Sequence, residues 1–331
     1  MPITDKSDIL SVLSENRSQL MGLAMLSIML FHQQFVGQGS LFFALFHFCG
    51  HWGVDVFMFL SGMGCYFSYR KTQASAAVFY KRRFMRIMPA SLCAGTLKII
   101  ILAFLFHSFS SDSWLSLFGL DLWFIRSILI LYLLFPFFQW AIQRFCVWWF
   151  LPVLVFFCLL FLAWFGSLQI NSALCYRTVA WTLYRLPIFV LGILISMTDG
   201  GDELLKIKKS IVFIAFLLLS FLVFHCAISK IYFPQYSLYL KDEYIYYLLA
   251  LPMAVFSYYT GMILRGGWGF LRWIGAHSLE LYLVHEFIYG LVEAIPFPLW
   301  DSIRLLTAVM LSFVSAYLLK KVVACLQKRI A

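Results

Sequence analysis

Apolar runs of membrane-spanning length recur from one end of this chain to the other, and the charged residues gather in the gaps between them. A bilayer crossing needs about 20 apolar residues in a helix. Runs of that kind are read at roughly 20–36, 51–68, 89–107, 121–138, 147–166, 178–196, 210–227, 244–263, 269–290 and 303–322. No water reaches the backbone inside hydrocarbon, so each crossing segment must pair its own amides, as a helix does. The chain is 63% hydrophobic and 12% charged, whereas soluble domains carry about a quarter charged residues, and this excludes a soluble globular enzyme. The expected fold class is an all-α polytopic membrane protein with about ten transmembrane helices. Met1 to Asn16 is polar and no small-residue cleavage site follows the first run, so that run is expected to remain as a span.

A formal charge of +10 invites a nucleic-acid partner, but the placement of Lys and Arg argues for lipid instead. Basic residues cluster at Lys6 and Arg17, Arg70 to Arg86, Arg144, Lys206 to Lys209, Arg265 to Arg272 and Lys320 to Arg329. The alternate connections hold few, chiefly Arg177, Lys230, Lys241 and Arg304. By the positive-inside rule both termini are expected in the cytoplasm. Residues 1–18 then form a cytoplasmic N-terminal segment and 323–331 a basic cytoplasmic tail, on one membrane domain spanning 1–331. The longest polar connections, 69–88, 197–209 and 228–243, are too short for a soluble domain. Turns are read at Thr198 to Asp202 and Arg265 to Gly267, and breaks at Phe233, Pro234 and Pro296 to Pro298. No repeat or matched pair of broken helices of the transporter kind stands out. The eight cysteines show no metal spacing; Cys49, Cys175 and Cys226 lie toward the outer face, where a disulfide is permitted but cannot be paired from sequence.

Asp55 stands inside the second apolar run, and a carboxylate at membrane depth marks a working site by default. The alternative is an acid bonded to a neighbouring helix. His32 falls in the outer half of span one, and His51 lies four residues before Asp55, on the same helix face. If the two spans pack, a carboxylate on one ring nitrogen would support His32 as a general base at the other. A satisfied intramembrane histidine is the equal alternative. His47, His51 and Asp55 form an i, i+4, i+8 series, but span two is read to begin near His51, and no metal is expected.

Lys81, Arg82, Arg83 and Arg86 form a basic knot just before Pro89, which is read as the start of span three. Such a knot signals topology or meets anionic lipid, each residue contributing about 1 kcal/mol. Guanidinium groups also bind phosphate oxygens bidentately, so a phosphate site is the other reading.

Several segments follow in order: Leu30 to His32, His51 to Gly62, Tyr80 to Pro89, Leu122 to Ile125 with Tyr132 to Pro136, and Ser278 to His285. Together they resemble the acyltransferase 3 family of integral membrane acyltransferases, over about residues 17 to 290. The resemblance implies transfer of an acyl group, usually acetyl from acetyl-CoA, to a hydroxyl of a cell-surface polysaccharide, glycolipid or lipid-linked glycan. It implies a multi-pass protein of a bacterial-type plasma membrane, with acyl-CoA as donor substrate and no permanently bound cofactor. It also makes His32 the match to the family's catalytic histidine, and Arg82, Arg83 and Arg86 the match to its basic motif for CoA phosphates. Two positions depart from the pattern. Met21 stands where the family has an arginine, with Arg17 one turn earlier, and Arg126 lies near the place of a missing glutamate. A lineage that lost catalysis and kept binding is one reading of Met21.

Arg126 and Arg185 fall within spans, where an arginine stabilises an oxyanion or binds an acceptor carboxylate, or else pairs with Asp55 or Glu280 to hold helices. Structure is favoured for Arg185. Glu280 and His285 are five residues apart, about 140° around a helix, so they do not share a face; His285 is expected to line the outer cavity or to serve structure. Lys98, in mid-span three, snorkels or pairs. The expected function is acyl transfer with His32 as base and Asp55 as its support, against a transporter or flippase for a glycan or acyl intermediate with Asp55, Arg126 and Glu280 along its path.

Overall fold

The computed structural model describes residues 9–36, 41–72, 75–106, 113–144, 150–151, 153–158, 161, 173–197, 245–294 and 300–330. The expected span 210–227, most of 147–166, the turns and breaks at 198–202, 233–234 and 296–298, and Cys226 lie outside them, as do the side chains of His47, Cys49, His51 and Cys175. Among the described residues the chain is all helical, with no strand. The helices are α1 (Ile9–Glu15), α2 (Arg17–His32), α3 (Leu41–Thr72), α4 (Ala76–Phe106), α5 (Ser113–Leu117), α6 (Trp123–Arg144), α7 (Ala173–Met197), α8 (Ile245–Ile263), α9 (Gly269–Ala276), α10 (Ser278–Ala294) and α11 (Asp301–Ile330). Among the described residues four stretches are long and apolar enough to cross a bilayer: 76–104, 123–144, 178–197 and 301–329. By contrast α2, at 16 residues, and α10, at 17, are shorter than the roughly 20 a full crossing needs.

The helices form two compact units, one of Met1–Leu20, Asp55–Ala74 and Ser127–Gly267, the other of Met21–Val54, Ser75–Arg126 and Trp268–Ala331. In the first, α7 is the inner helix, with 72% of its apolar window buried. It meets α3 where Gly62 faces the Phe189 carbonyl and Gly192 faces that of Phe59; a Cβ at either glycine would overlap those oxygens. Small residues replace the missing hydrophobic drive in lipid by letting backbones close in for dispersion contacts. The hydroxyls of Thr182 and Ser127, 2.9 Å apart, and the edge-on rings of Tyr69 and Phe135 tie in α6. Val12 of α1 packs toward Gly261 of α8. Val12 and Leu13 are buried, so the polar N-terminal segment of the sequence is partly a docked helix.

In the second unit α4 and α11 are outer helices, with 28% and 17% of their apolar windows buried. Exposed Leu97, Phe104, Leu306 and Leu318 give them faces suited to acyl chains. Helix α10 packs against both. Close approach again relies on glycine: Gly53 of α3 meets the Ala24 carbonyl of α2, and Gly22 of α2 meets the Leu271 carbonyl of α9.

Four boundaries differ from the sequence reading. Helix α3 starts at Leu41, so the backbone of His47 is helical after all. Pro89 does not open a span; it lies inside α4. Proline cannot donate to the carbonyl four residues back, and here that carbonyl, Met85 O, accepts 2.8 Å from Gln327 Nε2 of α11. The expected span 269–290 is two helices, broken at His277 (φ −109°, ψ 13°). There the His277 ring stacks on Trp273 at 4.3 Å and its Nδ1 meets the Trp273 carbonyl at 2.8 Å, while Lys320 Nζ donates to the Ala276 carbonyl left at the helix end. Finally, the helix of the expected span 303–322 runs on through 323–330 as the end of α11.

Gln327→Met keeps the length of the side chain but loses its N–H, so unfolding in detergent should show a loss of about 1 kcal/mol. In a Pro89→Ala background the restored amide serves Met85 O, and the same substitution should cost measurably less.

Candidate active site

His32 is the last residue of α2 and is half-buried. The turn after it is held by Gln33, whose Oε1 accepts from the backbone N–H of Phe35 at 3.1 Å and of Val36 at 3.0 Å. Its Nε2 donates to the Val36 carbonyl at 2.9 Å. One buried side chain thus closes the helix end in three bonds, so the ring of His32 projects from a braced platform. The residue it meets is His285: Nδ1 of His32 lies 2.9 Å from Nε2 of His285. His285 is 1% exposed, in the middle of α10, and its Nδ1 lies 3.0 Å from Leu281 O and 3.1 Å from Tyr282 O. Tyr282 and Tyr289 flank its ring, with centroids 5.7 Å and 5.9 Å away. Phe35 packs on the far side of Tyr289. The Tyr289 hydroxyl is itself buried, with no hydrogen-bond partner among the described residues.

Asp55 pairs within its own unit. Its Oδ1 lies 3.0 Å from Nε of Arg185, with both side chains about 5% exposed or less. A guanidinium among apolar helices needs a counter-ion, and Asp55 supplies one. Arg17 begins α2 and directs Nη2 at the Leu60 carbonyl of α3, 3.4 Å away. It stands at the opposite end of α2 from His32, about 22 Å along the axis, and Met21 between them is buried.

The basic knot occupies the first turns of α4, in the same helix as the apolar stretch that follows. Arg82 and Arg86, four residues apart, are exposed. Arg83 is buried, with its guanidinium 5.4 Å from the centre of the Phe79 ring. The trio therefore divides into two outward cations, fit for an anion in solution or at a membrane surface, and one turned inward. Lys98 pairs with Asp121, which also accepts from Ser116 Oγ at 3.0 Å. Arg126 donates to the Leu120 carbonyl, fixing the turn that leads into α6. Glu280 is buried in the first turn of α10, where the positive end of the helix dipole stabilises a carboxylate. Among the described residues no three His, Cys, Asp or Glu side chains gather as a metal site.

Sequence reasoning found both histidines but not their meeting. It missed Asp121 and Gln33. The inward turn of Arg83 had a signal: Phe79, Arg83 and Ile87 repeat every four residues, and the two apolar members mark a buried face.

Removing one member of a buried ion pair strands the other, at roughly 3–5 kcal/mol. Arg185→Met should therefore lower the thermal midpoint in detergent sharply, and Asp55→Leu added to it should recover most of the loss.

Two imidazoles in hydrogen-bond contact, one half-buried and one held by backbone carbonyls, form a unit that can take and return a proton. Neither curated proteins nor solved structures supply a match to the chain. A family model described as an acyltransferase domain does match, over residues 20–321, nearly the whole chain. It includes α3 through α10 and both histidines, and the protein belongs to the acyltransferase 3 family of membrane acyltransferases.

Proposed function

We propose that the protein moves an acyl group, acetyl in the first instance, from acyl-CoA to a hydroxyl of a surface polysaccharide, glycolipid or lipid-linked glycan. The observation that carries the reading is His32, placed by a braced helix end against a second histidine within an acyltransferase domain. In this reading His32 takes the acceptor's hydroxyl proton as the oxygen attacks the thioester carbonyl. The new C–O bond forms, the C–S bond breaks, and the CoA sulfur leaves as a thiol with the proton returned from His32. A variant rests the acyl group on His32 before the hydroxyl takes it.

Arg82 and Arg86 are assigned to the CoA phosphates, because they are the exposed pair and guanidinium forks match phosphate oxygens. Arg83, stacked on Phe79, anchors the helix that presents them. Asp55 enters as the counter-ion of Arg185, and Arg126 and Glu280 enter as structural residues of their helix ends. The topology proposed with this chemistry is ten spans with both termini in the cytoplasm of a bacterial inner membrane. The basic knot would then meet cytoplasmic CoA and the end of α2 would lie toward the outer face, about the length of one helix away. Met21 is no obstacle in this scheme, since Arg17 stands against α3 and the proton work is done at the other end of α2.

Purified protein in lipid nanodiscs, given labelled acetyl-CoA and candidate glycans, should yield labelled glycan; movement of glycan without label would favour a transporter. General-base catalysis contributes about 10²–10⁴ in rate, so His32→Ala should lower transfer by that much at equal protein level. Retained activity would sink the assignment. Arg82→Ala and Arg86→Ala should raise KM for acyl-CoA with kcat little changed.

A further inference from the structure

We infer that His285 is a positioning residue that fixes the tautomer of His32, so that the basic lone pair of His32 sits on Nε2. The inference deepens the reading of His32 as the base and rests on it. The argument starts from what each partner can do. Backbone carbonyls only accept, so the His285 nitrogen shared between Leu281 O and Tyr282 O, Nδ1, carries a hydrogen. A neutral imidazole has one N–H, so Nε2 of His285 is an acceptor. It faces Nδ1 of His32 at 2.9 Å, and two lone pairs do not share that distance. The hydrogen between the rings therefore belongs to His32 Nδ1.

The opposite assignment would make His285 a cation donating from both nitrogens. That ring is 1% exposed, and among the described residues its hydrogen-bond partners are two carbonyls and His32, none a carboxylate. A lone buried charge with no counter-ion is costly, so the neutral form stands. His285 thus does with a neutral ring what a carboxylate does in a hydrolase triad: it holds the base in one orientation and one tautomer. When His32 takes the acceptor proton on Nε2, the positive charge spreads over a ring whose Nδ1–H already has an acceptor. The two carbonyls behind His285 extend that support. The same nitrogen then returns the proton to the leaving sulfur. The flanking rings of Tyr282 and Tyr289 and the Gln33 turn hold both imidazoles in place.

The test compares two substitutions and one spectrum. Glutamine offers an oxygen to accept from His32 and an amide to donate, whereas leucine offers neither. His285→Leu should lower kcat by about 10²–10⁴, the range for losing a tautomer-fixing partner or the base it serves, with KM for acyl-CoA little changed. His285→Gln should restore activity to within about tenfold of wild type, a recovery that a packing role would not give. In the wild-type protein labelled with ¹⁵N in histidine, the neutral ring of His32, assigned through His32→Asn, should carry its hydrogen on Nδ1. A hydrogen on Nε2 overturns the inference, as does equal loss in the two His285 variants. The spectrum decides the tautomer whatever His32→Ala does to transfer, so a wrong tautomer and a wrong base give different results.

Discussion

Inside hydrocarbon every backbone amide and carbonyl must find a partner within the protein. That demand explains the helices, and it explains what happens where helices fail. Pro89 leaves Met85 O without an amide, and a side chain from α11 supplies one. The break at His277 leaves Ala276 O without one, and Lys320 supplies it. The end of α2 is closed by Gln33. In each case a polar side chain stands in for a missing backbone donor or acceptor. The third case is the one that sets His32 in place.

Charge follows the same rule of local settlement. Asp55 is met by Arg185 and Lys98 by Asp121, while Arg126 is anchored on a carbonyl. In the basic knot Lys81, Arg82 and Arg86 stay outward. Buried ions so paired contribute little net stability, but they fix which helix faces meet. Glycines at the α3 and α7 crossing do the complementary work by letting backbones touch.

Much of this was legible in the chain. Apolar runs announced α4, α6, α7 and α11, because length and composition suffice for a span. His32 and the basic knot were found because polar residues in or beside such runs are conspicuous. The meeting of His32 with His285 was not legible, since the two are 253 positions apart and a single sequence holds no trace of pairing at that distance. Asp55 stood out as a carboxylate inside an apolar run, and Arg185 was one of its possible counter-ions. Pro89 looked like a helix start because a first-turn proline needs no donor. Its actual setting depends on Gln327, 242 positions beyond Met85. The break at His277 hid inside an apolar run whose periodicity it does not disturb.

The Gln327 bond bears on how the basic end of α4 is held. Helix α4 carries Arg82 and Arg86 in its second and third turns and Pro89 within a turn of Arg86, so the weakest point of the helix lies directly beneath its outward arginines. An unbraced proline there would let the two arginines swing as a loose arm. With α11 fastened across the gap, the arm becomes a fixed bracket, held by a residue on the last turns of another helix. A segment that reads as a basic tail is part of the scaffold that holds Arg82 and Arg86.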